Sequence, residues 1–142
     1  MKTTKRMNPG MKVTYNGELR NTAVHLRSGN MLTTDAPTDN NGRGEAFSPT
    51  DLLCTSLACC MITLMGIAAE SKQIELGNIE AEIEKTMVSD PRRVSKIRIV
   101  LRIENPGYTD REISILKNAA LTCPVAKSLH PDIEQVVDFE WV

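Results

Sequence analysis

The chain has 142 residues, a length that fits one domain, residues 1–142, and can bury a real core with little margin. Its 17 basic and 18 acidic residues leave a net charge of -1, and its aromatic residues are one Trp, two Tyr and two Phe. That balance offers no basic surface for nucleic acid or an anionic membrane, and no stacking platform for bases.

The start, MKTTKRMNPGMKV, is basic but lacks an apolar run, so it does not read as a secretory signal. The expected location is the cytoplasm, where thiols stay reduced unless they do chemistry. Residues 12–16 and 18–27 read as strands with a turn at Asn16-Gly17. Ser28-Gly29-Asn30 reads as the next turn, and a short strand follows near MLTTD. Residues 34–47, TDAPTDNNGRGEAF, form a polar loop of a length that is often functional.

A helix is well signalled after Phe47. Ser48 suits the N-cap, Pro49 the first helical position, and Asp51 the third, where a carboxylate answers free N–H groups. It should run to about Ser71. The eighteen residues Leu52 to Ala69 carry no charge and include three of the four cysteines. That run reaches the span threshold of about 18 residues. It contains Thr55, Ser56 and Thr63, however, and has neither an aromatic belt nor a Lys/Arg cluster at its ends. It reads as a buried central helix and not as a membrane span.

Residues 78–88 and 92–104 read as an antiparallel pair turning at Ser89-Asp90-Pro91, with one solvated, basic face. The first strand, through Ile79, Ala81, Ile83 and Thr86, alternates less cleanly than the second. Thr109-Asp-Arg-Glu112 is a capping box opening a second helix, with Ile113, Leu116, Ala120 and Leu121 as its apolar stripe. That helix must end or kink before Pro124, which suits the first position of a short helix, PVAKSLH. The tail DIEQVVDFEWV reads as a closing strand. Strands, long helix, strands, helix and strand in that order indicate an α+β fold.

The cysteines are at 54, 59, 60 and 123, without a C-x-x-C pair, which argues against a zinc ribbon, a thioredoxin motif or a disulfide framework. At about 100° per residue, Cys60 shares a core-like stripe with Leu53, Leu57, Leu64 and Ile67. Cys54 groups with Ala58, Met61 and Met65, and Cys59 with Leu52, Thr55 and Thr63, so the three do not bind a metal jointly. A buried thiol is ordinarily just a small hydrophobe. Cys123 differs: as N-cap of the short helix it would face free N–H groups, which lowers a thiol pKa. His25 and His130 read as structural or surface residues. Periodicity leaves open whether Cys60 and Cys123, 63 residues apart, meet in space.

The stretch FSPTDLL…SLACCM, followed about 60 residues later by TCPV, resembles the OsmC/Ohr family, whose members include thiol-dependent peroxidases that reduce organic hydroperoxides. The resemblance covers most of the chain. It implies an OsmC-like fold, with antiparallel sheets around two central helices, and an intertwined homodimer with sites at the subunit boundary. The family's helical cysteine lies eleven positions after a Pro, which from Pro49 is Cys60. Its second cysteine precedes a Pro, which is Cys123. The resemblance thus implies Cys60 as the peroxidatic thiol and Cys123 as the resolving one. In the family an early-strand Arg and a Glu at the helix start support the thiolate. Arg20 is the best match to that Arg, with Arg27 and Arg43 as rivals. At the Glu position this chain has Thr50, and the nearest carboxylates are Asp51 and Glu45.

Two functions follow as expectations. One is a peroxidase: Cys60 becomes a sulfenic acid, condenses with Cys123, and a dithiol reductant restores both. The other is a non-catalytic OsmC-like protein with an apolar pocket at the dimer interface. Neither needs a cofactor or metal.

Overall fold

A computed structural model describes residues 6–142; the first five residues of the basic start lie outside the described residues. The fold is mixed α+β, as expected, and has two three-stranded sheets among the described residues. The chain divides into two compact units, one ending at Leu52 and the other comprising Leu53–Val142.

The first unit is an antiparallel sheet of β1 (Met11–Gly17), β2 (Arg20–His25) and β3 (Met31–Asp35), in that order. Its first turn differs from expectation. Asn16-Gly17 belongs to the strand, and the turn is Glu18-Leu19, both at positive φ (54° and 61°). Two positive φ angles match the twist of a tight hairpin, but they are unusual for residues other than glycine, asparagine and aspartate. Local bonds hold the turn: the Leu19 N–H donates to Tyr15 Oη at 3.3 Å, Ala36 N–H donates to the Leu19 carbonyl, and Arg43 pairs with Glu18. Gly17 (φ 83°) follows a local shift in register and pairs with Arg20. The second reversal spans Leu26–Asn30 and so begins two residues before the expected Ser28–Asn30 turn: β2 ends at His25, whose carbonyl accepts the Gly29 N–H, and Gly29 sits at φ 76°. In the polar loop after β3, Gly42 is required sterically: a Cβ there would lie 1.7 Å from the Ala36 carbonyl oxygen.

The second unit contains most of α1 (Pro49–Lys72), then β4 (Ile79–Val88), β5 (Arg93–Ile103), α2 (Asp110–Leu121), α3 (Pro124–Ser128) and β6 (Glu134–Trp141). β4 and β5 pair antiparallel, while β6 joins β5 parallel, so this sheet is mixed and not antiparallel throughout as expected. β4 alternates more cleanly than its sequence suggested, with exposed Glu80, Glu82 and Glu84 between half-buried Ile79, Ala81 and Ile83. The outer face expected to be basic is neutralised across the sheet: Arg98 pairs with Asp138, and Arg102 with Glu82 and Glu140.

The core lies between β5 and the helices. Val94, Ile97, Ile99, Leu101 and Ile103 meet Leu57, Ala58, Met61, Met65 and Ala69 of α1, with Leu116 and Ala120 of α2. The stripe of α1 expected to be core is corrected here. Leu57 is buried, but Leu53 is 38% and Ile67 56% exposed. The Cys54, Ala58, Met61 and Met65 stripe faces inward instead. Small Cys and Ala let the helix approach the sheet, and Met adapts to irregular gaps.

Candidate active site

Within the second unit the structure brings Cys60 and Cys123 together. α1 carries Cys60, half-buried and facing neither fully inward nor fully outward. Pro124 opens α3 and leaves Cys123 as its N-cap, in extended conformation (φ -68°, ψ 149°). The Cys123 side chain is 0% exposed and accepts the Ala126 N–H at 3.4 Å. It also lies within hydrogen-bonding and Coulombic range of Cys60. Both are free thiols.

The N-cap placement of Cys123 is as expected, but its ionisation is not. Burial pushes this thiol's pKa up, and the neighbouring Cys60 adds to the rise. The N–H groups of Ala126 and Val125 pull the other way and are outweighed. Desolvation of a charged sulfur exceeds the return from two backbone bonds. Cys123 is therefore a protonated thiol at neutral pH, positioned beside Cys60.

Cys54 is buried in the core and Cys59 is exposed on the outer face of α1. The Thr63 hydroxyl donates to the Cys59 carbonyl, so it is occupied within the helix.

In the first unit, Arg20 is held by two carboxylates. Its Nε and one Nη donate to the two oxygens of Asp35 at 2.7 and 2.8 Å, and the same Nη reaches Glu45 at 3.1 Å. The Asp35 side chain is fully buried and also accepts the Glu45 N–H at 3.2 Å. The Arg20 guanidinium beside it holds the Asp35 carboxyl below the usual range, and Arg20 is raised in turn. Of the rivals, Arg43 is paired with Glu18 and Arg27 lies exposed on the surface.

Asp51 sits at the start of α1, where its carboxylate accepts the Ser48 N–H at 2.9 Å while Ser48 Oγ accepts the Asp51 N–H at 3.0 Å. This is a reciprocal capping box. Thr50 Oγ1 lies 3.2 Å from Ser48 Oγ. His25 lies 2.6 Å from the Ser28 hydroxyl in its turn, and His130 accepts the Asp132 N–H. Among the described residues, no group of three or more His, Cys, Asp or Glu is arranged to hold a metal. A cleft of about 480 Å³ within the second unit is rimmed by Lys72, Arg111 and Glu112 and includes no cysteine.

Sequence reading missed Asp35. The signal was present: the hairpin register that sets Val24 opposite Met31 also sets Arg20 opposite Asp35. A cross-strand Arg–Asp pair follows only if β2 ends at His25; carrying the strand to Arg27, as the Ser28–Asn30 turn implies, sets Arg20 opposite Thr38 instead.

The OsmC-like protein family model matches residues 42–137. A solved structure from Psychrobacter arcticus 273-4, provisionally named an osmotic stress induced and detoxification response protein, is 52% identical. The match covers 94% of this chain and 97% of that one, with a TM-score of 0.88. An OsmC like protein from Mycoplasma pneumoniae matches at 18% identity over 98% and 99%, with a TM-score of 0.78. An organic hydroperoxide resistance protein from Elizabethkingia anophelis, with thiocyanate bound, matches at 17% identity over 100% of both chains, with a TM-score of 0.70. No curated protein matches the sequence.

Proposed function

This chain belongs to the OsmC-like protein family, and from that premise we propose that it is a thiol-dependent peroxidase that reduces organic hydroperoxides. The observation that carries the reading is the contact between the Cys60 and Cys123 side chains. In the proposed cycle the Cys60 thiolate attacks the outer oxygen of the hydroperoxide. The O–O bond breaks, the alcohol leaves with a proton, and Cys60 becomes a sulfenic acid. The Cys123 thiol then attacks that sulfur, water departs, and a Cys60–Cys123 disulfide forms. A dithiol reductant returns both residues to thiols while being oxidised to its own disulfide.

Arg20 is the proposed cation for the thiolate and the departing oxygen, oriented by its carboxylate partners Asp35 and Glu45. Asp51 contributes by fixing the helix start that carries Cys60. The proposed assembly is a homodimer in the cytoplasm. Its support is the apolar surface each unit leaves uncovered: Val13, Tyr15 and Met31 in the first, Leu53 and Ile67 in the second. Exposed apolar area of this kind marks interaction surfaces.

A second reading, a non-catalytic protein that binds a small apolar ligand, is favoured by one observation. Thr50 stands where family resemblance calls for a Glu, and two carboxylates already neutralise Arg20. Peroxide consumption separates the two. The wild-type protein with a dithiol should consume an organic hydroperoxide catalytically, and Cys60→Ser should lose at least a hundredfold in rate. Equal rates for the two proteins would exclude the peroxidase.

A further inference from the structure

The two sulfurs of the candidate pair differ in access, and that difference bears on which of them a reductant meets. Cys123 is 0% exposed and belongs to the same buried cluster as Leu116 and Ala120. Cys60 is half-buried, and its neighbours Cys59 and Thr63 are exposed. Thiol–disulfide exchange is an in-line displacement, in which the attacking sulfur enters opposite the departing one. Attack on Cys123 would have to enter through the core behind it. Attack on Cys60 enters from the side away from Cys123.

We propose that the reducing thiol attacks the sulfur of Cys60, and that Cys123 is the departing thiolate. This rests on the peroxidase reading above, because it concerns the disulfide that reading forms. In the first step a reductant thiolate bonds to Cys60 sulfur, the Cys60–Cys123 bond breaks, and its electron pair goes to Cys123. The departing sulfur is received by the Ala126 and Val125 N–H groups and takes up the proton released by the reductant. In the second step the reductant's other thiol attacks its own bound sulfur. The reductant leaves as its cyclic disulfide, and the Cys60 thiolate is regenerated.

One effect opposes this order. Burial disfavours the Cys123 thiolate, and a more basic thiolate departs more slowly. That penalty is graded, whereas a sulfur with no exposed surface gives no reaction until the core opens. Access therefore decides. The peroxidase reading also requires a hydroperoxide to reach Cys60, and a small thiol follows the same approach.

The test uses the full chain carrying Cys59→Ser, which removes the adjacent exposed thiol. The disulfide is formed with one equivalent of cumene hydroperoxide or, separately, with diamide. The oxidised protein is exposed briefly to 2-mercaptoethanol, quenched in acid, alkylated and mapped by peptide mass spectrometry. The expected adduct is on Cys60, at least tenfold over Cys123, with Cys123 recovered as a thiol. An adduct mainly on Cys123, or equal amounts on both, overturns the proposal. Failure of the disulfide to form with hydroperoxide but not with diamide counts against the peroxidase reading alone. Failure with both oxidants overturns this inference too.

Discussion

Cys123 combines two opposed influences, burial that keeps its proton on and cap N–H groups that would accept its charge, and burial prevails. Two predictions belong at this scale. Alkylation of the reduced, folded protein at neutral pH should modify Cys59 and Cys60, with Cys123 and Cys54 protected until denaturant is added, as read by mass spectrometry. Modification of Cys123 as fast as Cys59 would contradict its placement. The second concerns Asp35. Its carboxyl is held below the ordinary value of about 3.9 by Arg20. A depressed folded pKa means that the unfolded chain binds the proton more readily. The stabilisation is therefore fully present above about pH 4 and is lost as pH falls through the lower folded value. Asp35→Asn should melt at a lower temperature than wild type at pH 7, and the gap should narrow towards pH 2; a gap independent of pH would argue against the ion pair. The thiol placements and the Asp35 pair were unequally legible. Cys123 as N-cap follows from Pro124 alone, but its ionisation depends on burial, which only the assembled core sets. Arg20 opposite Asp35 required a strand register that neither residue announces by itself.

The start of α1 shows what local sequence can specify. Ser48, Pro49 and Asp51 predicted the cap, and the side chains form it reciprocally. Ser48→Ala should lower unfolding stability by about 1 kcal/mol, measured by urea denaturation, with Asp51→Ala similar. The two losses should be less than additive, because the bonds belong to one capping box. Full additivity would mean that the two side chains act separately. Farther along α1 the sequence was less informative, because the helix is apolar on every face and periodicity cannot choose the inner one. Packing of Cys54, Ala58 and Met61 on β5 made that choice. The first hairpin failed for a related reason: Asn16-Gly17 is a strong turn signal, but the bonds around Leu19 and Glu18 place the reversal two residues later. The parallel docking of β6 on β5 is a tertiary choice that no local pattern in residues 134–141 encodes.

At the scale of the whole molecule, α1 is long and apolar enough to cross a membrane by length and composition, and the first sheet and α1 leave apolar side chains in the open. The homodimer reading predicts a species of twice the 15.7 kDa chain mass in sedimentation equilibrium. Ile67→Lys, on the exposed face of α1, should shift it toward monomer by placing a charge at an apolar interface. A wild-type protein that sediments as a monomer at micromolar concentration would remove the dimer from the proposal. The chemistry is tested most directly by adding one equivalent of an organic hydroperoxide to the fully reduced protein, counting its thiols and mapping any bond formed. Peroxidase function predicts rapid loss of two of the four thiols, joined as a Cys60–Cys123 disulfide. Survival of all four would contradict it and leave a family scaffold whose pocket, not its thiols, carries the function.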